Sequence, residues 1–514
     1  MLRLLLLSGI LWLRPALAQG SQAKCEAVQS SIHLENTTIF QVDYIPAPAT
    51  VSIPGSCGTT AQVPTGSAPL CRVQFFVNTT ATSSVHMEAW LPDTWFGRFM
   101  GTGNGGIGGC IDYTALGYGT SLHFATLGHD NGHDGNNGIV FLNHPEVIND
   151  FAFRAVHTEA VIGKQLVQAY YGSKIGKSYY LGCSTGGRQG TQEALKFPGD
   201  FDGILGGAPA TDWNHLQGWS GFLSHFVGSP NFMGNPKFLQ PADWATVSAF
   251  ILAECDGLDG VMDGIITEPD DCHFDANKLL CKAGQTSGCL TATQVQAVKN
   301  VFTPMFGTHG ELLYPRYTPG AEADPARAAL MGGPFFTFAH DWEMFTTLNV
   351  TSHDFTNFSL VDVDLMERVN AGGIKTFSGD LFKFKELGGK FITYHGRRDP
   401  LIASTNSKRV YDLIRATMLM PTLDPFYRLF LIPGMGHCGG GLGAPAFGQG
   451  TSPTSNAVNA SSHNALLALV DWVEKGKAPD TIIGTAIDGS GAERVHCRYP
   501  QRSVLVAGKF TCVL

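Results

Sequence analysis

The sequence predicts an α/β fold in which a largely parallel sheet is covered by helices and interrupted by a large lid. Short apolar runs that end in glycine turns alternate with amphipathic stretches near both ends of the 514-residue chain. This alternation is typical of strand–turn–helix units. Residues 211–388 break it, because they are rich in Trp, Phe, Pro and turn residues. We therefore expect residues 19–210 and 389–514 to form the sheet domain and 211–388 the inserted lid domain.

The first half of the sheet is predicted from consecutive segments. "WFGRFMGTGNGG" reads as a strand that runs into a glycine turn, and "DFAFRAVHTEAVIGKQLVQAYY" has the apolar spacing of a helix. "KSYYLG" is a short β-rich run, and "RQGTQEALKFP" reads as a helix that ends at Pro198. After the lid, "GGKFITYHG" and "FYRLFLI" predict two further strands, and "NALLALVDWVEKG" predicts a helix.

Residues 1–18 have the pattern of a secretory signal peptide. Arg3 precedes a short apolar run, and "ALA" at 16–18 has the small-x-small form of a cleavage site. The run is too short to span a bilayer, and no other stretch approaches that length. The alternative is a buried N-terminal helix. We expect the signal to be removed and the protein to be secreted, extracellular and free of the membrane.

The cysteine content and the glycosylation sequons agree with secretion. The chain has twelve cysteines, an even number without a CxxC pair, which in an oxidising compartment indicates disulfides rather than zinc. The net charge of −9 disfavours nucleic acid and anionic membranes as partners. No oligomeric state is predicted. Asn-x-Ser/Thr sequons predict glycosylation at Asn36, Asn78, Asn349, Asn357 and Asn459.

"GCSTG" at 182–186 fits the G-x-S-x-G pattern of a nucleophile elbow. Glycines at both flanks permit a sharp strand-to-helix turn, which exposes the hydroxyl of Ser184. The N-terminus of the following helix, at Thr185, would offer a backbone N–H to a developing oxyanion. The alternative is an ordinary glycine-rich turn, but the predicted strand before and helix after favour the elbow.

A nucleophilic serine needs a general base, and that base needs an orienting carboxylate. Asp399 lies just past "KFITYHG", and His437 lies just past "YRLFLI". The order Ser, Asp, His and the position of each residue after a strand fit such a triad. His395 is a competing base, although its place four residues before Asp399 favours a role in structuring the loop. A turn-forming Asp and a surface His are the alternatives for the other two residues.

The second oxyanion donor is expected from the early glycine turn "GTGNGGIGG". Either Gly105 or Gly106 could supply the N–H, and a plain flexible turn is the alternative.

Cys183 precedes the expected nucleophile, and Cys438 follows the expected base. A disulfide between them would join the serine loop to the histidine loop. Its loop-entropy contribution would be a few kcal/mol. The more important effect would be positional, because nucleophile–base geometry tolerates displacements of only a fraction of an ångström.

"CDGLDGVMDGII" at 255–266 places Asp256, Asp259 and Asp263 in one tight segment. Close carboxylates repel one another unless a hard cation lies among them, and oxygen ligands with glycine turns suit calcium. No glutamate closes a 12-residue loop, so this is not an EF-hand. The alternative is a set of Asp-Gly turns on an acidic surface.

The segments "GCSTGGRQG", "HGRRDPLI" and "GMGHCGGG" resemble the CS-D-HC motif of the tannase/feruloyl esterase family. "GNGG", "HDG", "CDGLDGVMDGII" and "HCRYP" extend the resemblance over essentially the whole mature chain, and it is closest to the fungal feruloyl esterase B branch. It implies an α/β-hydrolase fold with a lid that carries much of the substrate pocket. It also implies Ser184 as nucleophile, His437 as base and then acid, and Asp399 as orienting carboxylate.

The resemblance further implies a structural Ca²⁺ bound by the three aspartates and by the backbone carbonyls of Val261 and Ile265. Cys255 and Cys272 could clamp that loop. Six disulfides are implied in all, namely Cys25–Cys71, Cys57–Cys110, Cys183–Cys438, Cys255–Cys272, Cys281–Cys289 and Cys497–Cys512.

The activity implied is that of a secreted serine carboxylesterase that hydrolyses feruloyl or other hydroxycinnamoyl esters of plant cell-wall polysaccharides. Its partners would be small phenolic esters or feruloylated oligosaccharides. The alternatives are a tannase that cleaves galloyl esters and a non-catalytic, calcium-stabilised wall-binding protein on a hydrolase fold. The lid tryptophans, Trp213, Trp219 and Trp342, cannot be sorted into pocket and core by pattern alone.

Overall fold

The computed structural model describes residues 20–450 and 459–514, so the predicted signal segment lies outside the described residues. A nine-stranded mixed sheet forms the centre of the molecule. Its strands are β1 (Thr37–Ile45), β2 (Leu70–Asn78), β3 (Ser84–Pro92), β4 (Arg98–Thr102), β5 (Ala125–His129), β6 (Lys177–Cys183), β7 (Gly203–Gly207), β8 (Lys390–Gly396) and β9 (Tyr427–Ile432).

The spatial order of the strands is β1-β2-β3-β5-β4-β6-β7-β8-β9. The first three strands and β5 pair antiparallel, whereas all pairs from β5 to β9 are parallel. The parallel strands are buried almost throughout. That burial explains why their sequences are near-continuous apolar runs, since helices cover both faces of such a sheet.

The predicted strands β4, β6, β8 and β9 are present. The predicted helix after β5 is divided, because a π-helical turn, Asp150–Arg154, precedes the α-helix Ala155–Tyr171. The other α-helices around the sheet are Val28–Ser31, Tyr113–Ser121, Pro145–Asn149, Thr185–Lys196, Phe382–Glu386, Thr405–Thr417 and Ala465–Lys475.

Between β7 and β8, no described strand joins the central sheet. This part contains the short hairpin Met305–Phe306 with Leu312–Tyr314 and the π-helical turn Trp342–Thr347. Its α-helices are Trp213–Phe226, Pro241–Cys255, Ala292–Val301, Ala328–Met331, Thr337–Asp341 and Leu360–Val369.

The hydrophobic core of the inserted part extends onto the sheet domain. Trp213, Trp219 and Trp342 belong to this core, together with Phe141 and Phe151 from the loop and turn that follow β5. The inserted part is therefore packed on the edge of the sheet at which β5 ends. Among the described residues, we find no helix with the length and apolarity needed to cross a membrane.

Three further hairpins lie outside the central sheet, namely Ala49–Ser52 with Thr60–Val63, Thr481–Thr485 with Glu493–Cys497, and Arg502–Val506 with Lys509–Val513. All twelve cysteines are paired, and the pairs are those that the resemblance implies: Cys25–Cys71, Cys57–Cys110, Cys183–Cys438, Cys255–Cys272, Cys281–Cys289 and Cys497–Cys512.

Candidate active site

Ser184 lies at the turn between β6 and the helix Thr185–Lys196, with φ 64° and ψ −120°. A non-glycine residue at positive φ is strained, and such strain is typical of a nucleophile elbow. The turn leaves no space at its flanks. A Cβ on Gly182 would lie 2.8 Å from the carbonyl of Gly186, and one on Gly186 would lie 3.1 Å from the carbonyl oxygen of Asn104. Both flanking glycines are therefore required by close backbone approach.

The backbone of Ser184 is fixed from both sides. Its N–H donates to the carbonyl of Gly207 at 2.9 Å, and its carbonyl accepts from the N–H groups of Arg188 and Ala210 at 3.1 and 3.2 Å. These bonds join the elbow to the end of β7 and to the first turn of its own helix. The strained turn is thus held by hydrogen bonds to two neighbouring elements.

His437 and Asp399 meet at the same edge of the sheet. Asp399 follows β8, His437 follows β9, and the carboxyl ends of parallel strands lie side by side. The Nδ1 atom of His437 lies 2.7 Å from Oδ2 of Asp399. The other carboxylate oxygen accepts from the N–H groups of Leu401 and Ile402 at 2.8 and 3.0 Å. The carboxylate is therefore held in the orientation that fixes the imidazole.

His395 is completely buried and contacts the same carboxylate oxygen as His437. Its Nε2 lies 3.1 Å from Oδ2 of Asp399, and its Nδ1 lies 2.7 Å from Oγ of Ser407. It lies outside the cavity that contains Ser184 and His437. The structure thus places His395 as a support of Asp399.

The pKa values of Asp399 and His437 are shifted in opposite directions. Burial would raise the pKa of Asp399, but the charge and hydrogen bonds of His437 and His395 together hold it well below its usual value. Burial would lower the pKa of His437, but the carboxylate of Asp399 and, more weakly, that of Asp324 raise it above its usual value. The carboxylate therefore stays ionised and strengthens the basicity of the imidazole.

Ser184 and His437 line one cavity between the sheet domain and the inserted part. The helix Trp213–Phe226 forms one wall, and Phe336 and Phe338 contribute from the inserted part. Most of the lining is apolar. The full lining is Gly106, Ser184, Thr185, Ala210, Trp213, Leu216, Gln217, Ser220, Phe336, Phe338, Leu401, Ile402 and His437.

The glycine turn after β4 borders this cavity through Gly106, which has φ 62°. The Oγ1 hydroxyl of Thr185 donates to the carbonyl of Gly106 at 2.6 Å, which joins the turn to the elbow. In the described part of the chain, the N–H of Gly106 donates no hydrogen bond. Gly105 is solvent-exposed and is not part of the lining.

A buried amide network that the sequence pattern did not predict joins the glycine turn to the elbow helix. The side chain of Gln189 accepts from the N–H of Asn104 at 3.0 Å and donates to its Oδ1 at 3.1 Å. It also donates to Oδ1 of Asn131 at 2.8 Å. The signal that could have indicated it is the presence of amide residues inside otherwise glycine-rich, buried motifs, since buried amides need partners.

The disulfide Cys183–Cys438 lies directly beside the candidate nucleophile and base, with Cα atoms 5.9 Å apart. Cys438 has φ 63°, the same left-handed region as Ser184. The bond therefore joins Cys183, the last residue of β6 and the neighbour of Ser184, to Cys438, which has a positive φ and is the neighbour of His437.

The aspartate loop is organised by its own backbone. Asp256 accepts from the N–H groups of Gly264 and Ile265 at 3.1 Å, and Asp263 accepts from Ile265 at 3.0 Å. Burial raises the pKa of Asp263; the N–H of Ile265 and the charge of Arg494 oppose this rise, and the charges of Asp259 and Asp256 add to it. Within residues 20–450 and 459–514, the carbonyls of Val261 and Ile265 accept no protein hydrogen bond.

Other acidic groups in the described chain could hold a metal ion. Two sets have their potential ligand atoms within 4.8 Å of one another, whereas the three aspartates of the 255–266 segment are not such a set. The two sets are His157, Glu193 and Asp200, and Glu343, His353 and Asp362.

Comparison with known proteins assigns the family. The model of the family "Tannase and feruloyl esterase" matches residues 71–514. The chain is 43% identical to a probable feruloyl esterase B-2 of Aspergillus terreus over 494 residues, which is 94% of this chain and 92% of that one. It is 43% identical to a probable feruloyl esterase B-2 of Aspergillus oryzae over 512 residues, with 96% of each chain covered.

Solved structures agree with this assignment. The crystal structure of feruloyl esterase B from Aspergillus oryzae matches with a TM-score of 0.91 and 40% identity, over 96% of this chain and 100% of that one. The tannin acyl hydrolase from Aspergillus niger shares the fold, with a TM-score of 0.74 and 24% identity over 96% of this chain and 95% of that one. The fold is that of an α/β-hydrolase, and this chain belongs to the tannase and feruloyl esterase family.

Proposed function

We propose that this protein is a feruloyl esterase whose nucleophile is Ser184, with His437 as general base and Asp399 as orienting carboxylate. The observation that carries the proposal is one cavity that contains both the strained serine and the histidine bound to Asp399. The names of its relatives support the same activity.

The reaction follows from the arrangement. Oγ of Ser184 attacks the ester carbonyl carbon while His437 accepts the hydroxyl proton. The tetrahedral intermediate expels the alcohol, to which His437 returns that proton, and an acyl-enzyme remains. Water, deprotonated by His437, then attacks the acyl carbon, and His437 returns that proton to Oγ of Ser184 as the acid leaves. Asp399 stays ionised and stabilises the imidazolium in both steps.

The oxyanion is assigned to the backbone N–H groups of Thr185 and Gly106. Thr185 is the first residue of a helix, so its N–H has no intrahelical partner. Gly106 lines the cavity and is joined to Thr185 through the hydroxyl of that residue. Gly105 was an equal candidate by sequence, but its exposure favours Gly106.

Asp399→Asn is expected to lower kcat by about 10⁴-fold and to move the acid limb of the pH–rate profile to lower pH. Only neutral imidazole accepts the serine proton, so wild-type activity is lost as the pH falls through the raised pKa of His437. Removing the carboxylate charge removes the main attraction that raises this pKa. The measurement is kcat/KM for methyl ferulate from pH 4 to pH 9. An acid limb that does not move in the variant would assign it to another group.

The acyl group is proposed to be a hydroxycinnamoyl group. The cavity has an apolar wall that suits a phenylpropenoyl chain, and it is formed by Leu216, Phe336, Phe338, Leu401 and Ile402. A galloyl group has no propenoyl chain to bury against this wall. The larger substrates proposed are feruloylated oligosaccharides of plant cell walls.

The experiment that tests this function is a comparison of kcat/KM for methyl ferulate, methyl p-coumarate, methyl caffeate and methyl gallate. We expect each hydroxycinnamate to exceed the gallate by at least about 10-fold, because a galloyl group has no propenoyl chain to bury against the apolar wall. A preference for methyl gallate would favour a tannase. Turnover of none of the four would overturn both assignments.

We further propose that the aspartate loop binds a structural Ca²⁺ through Asp256, Asp259 and Asp263 with the carbonyls of Val261 and Ile265. The all-oxygen donor set, the mutual repulsion of the carboxylates and the two carbonyls without protein partners fit a hard cation. Cys255–Cys272 closes the segment on one side. The ion would hold the loop together and would take no part in the ester chemistry.

EDTA treatment is therefore expected to lower Tm by at least about 3 °C, because an ion that binds only the folded state stabilises it. Added Ca²⁺ should restore Tm, and Mg²⁺, which demands tighter octahedral geometry, should not. Asp256→Asn should remove the response. Asp488→Asn is the matched control. Asp488 is also followed by glycine in an exposed turn, where its carboxylate accepts from the N–H of Ser490. An identical EDTA response in Asp256→Asn would contradict the site.

Secretion is proposed from the predicted signal peptide, and glycosylation is proposed from the sequons. The paired cysteines and the exposure of the sequon asparagines support both proposals. The twelve paired cysteines suit an oxidising compartment. All five sequon asparagines are exposed, which glycosylation requires: Asn36, Asn78, Asn349, Asn357 and Asn459. We also propose residues 211–388 as the lid domain, and residues 19–210 with 389–514 as the catalytic domain.

A further inference from the structure

The helix Trp213–Phe226 presents one face to the cavity beside Ser184. Trp213, Leu216, Gln217 and Ser220 all line the cavity, and their spacing of three and four residues places them on the same side of the helix. This face carries polar atoms among otherwise apolar walls.

These polar atoms have no protein partners. The Gln217 side chain makes no hydrogen bond in the described part of the chain, and its Oε1 is buried, as are Oγ of Ser220 and Nε1 of Trp213. The exposed fractions of Gln217 and Ser220 are 2% and 1%. Native proteins pair the great majority of buried polar side-chain atoms, so unpaired ones in a binding cavity indicate groups that a ligand completes.

The ring of the acyl group supplies matching chemistry. A p-coumaroyl ring carries one polar group, the phenolic hydroxyl, which both donates and accepts hydrogen bonds. A glutamine carbonyl can accept the phenol proton, and a serine hydroxyl can donate to the phenol oxygen. The indole of Trp213 is held edge-to-face against Trp342 at 5.4 Å between ring centroids, so it forms a fixed wall beside the ring.

We propose that Gln217 and Ser220 form a subsite for the phenolic hydroxyl of the hydroxycinnamoyl group. This inference rests on the proposed esterase function and names the part of the substrate that the enzyme recognises. Oε1 of Gln217 accepts the phenol O–H, and Oγ of Ser220 donates to the phenol oxygen. Esters whose ring lacks this hydroxyl leave both side chains unpaired and are disfavoured.

The test compares methyl p-coumarate with methyl cinnamate, which differ only in the hydroxyl. Wild type should favour the coumarate by about 10–100-fold in kcat/KM, since a site built to bind a hydroxyl rejects the analogue that lacks it. In Gln217→Leu this ratio should fall at least about 10-fold, while cinnamate turnover is retained or increased. Ser220→Ala should lower the ratio in the same direction.

Leu216→Met is the matched control, because Leu216 lies on the same cavity wall but offers no hydrogen bond. It should change the turnover of both esters in the same proportion. A ratio in Gln217→Leu and Ser220→Ala equal to that of wild type would overturn the subsite. Wild type that hydrolyses both esters equally would overturn it while the esterase function stands, whereas wild type that hydrolyses neither would overturn the function itself.

Discussion

Ser184→Ala is expected to lower kcat for methyl ferulate by about 10⁶-fold while the protein stays folded. Without Oγ no acyl-enzyme forms, and the oxyanion N–H groups can stabilise only direct attack by water. The fold should tolerate the change, because the elbow is held by backbone hydrogen bonds of residue 184 rather than by its side chain. The measurements are steady-state kinetics together with Tm.

Ser173→Ala is the matched control, since Ser173 is an exposed loop residue remote from the cavity lining. It should have wild-type kinetics. His437→Ala should be about as damaging as Ser184→Ala, and the double variant should be hardly worse than either, because the two side chains act as a unit. Undiminished turnover in Ser184→Ala would overturn the esterase mechanism and favour a binding protein on a hydrolase fold.

Local patterns made the positions of Ser184, Asp399 and His437 at the ends of strands predictable. A strand, a glycine-framed serine and a helix occupy one continuous segment, so the G-x-S-x-G elbow can be read without knowledge of the rest of the chain. Asp399 and His437 each follow a short apolar run, and parallel strands bring such positions to one edge. The same logic applied to β4, β6, β8 and β9, whose buried faces require continuous apolar sequence.

Long-range contacts explain what the sequence could not predict. The support that His395 gives to Asp399 depends on the buried position of its ring against Ser407. The amide network of Gln189 joins residues from three separate segments. Similarly, Trp213 lines the cavity and Trp342 does not, although both are buried in the same core. Such sorting depends on tertiary packing, which a one-dimensional pattern does not contain.

The second large effect is expected from Cys183→Ala/Cys438→Ala, which should lower kcat by at least about 100-fold at temperatures well below Tm. The disulfide joins residues adjacent to Ser184 and His437, and both cysteine-bearing loops contain a residue in the left-handed region, Ser184 and Cys438. Strained backbone persists when its surroundings over-determine it. Removing the bond would let the two loops relax apart, and a displacement of about 1 Å can cost about 10²-fold in rate.

The matched control separates position from stability. The cysteines of Cys183–Cys438 are 255 residues apart in sequence and those of Cys25–Cys71 are 46 apart, which in the chain-entropy description correspond to roughly 5.5 and 4 kcal/mol. Cys25→Ala/Cys71→Ala should therefore lose comparable stability, yet its cysteines join an N-terminal segment to β2, away from the cavity. We expect its kcat to stay within about threefold of wild type, because cavity geometry is untouched.

Kinetics of both double variants, each measured about 20 °C below its own Tm, distinguish the two roles of the disulfide. If the bond acted only on the unfolded chain, both variants would be less stable and equally active. If it sets the distance between Oγ of Ser184 and the imidazole of His437, only Cys183→Ala/Cys438→Ala loses rate, and it does so in kcat rather than in KM. Equal activity of the two variants would show that hydrogen bonds and packing alone hold the serine against its base.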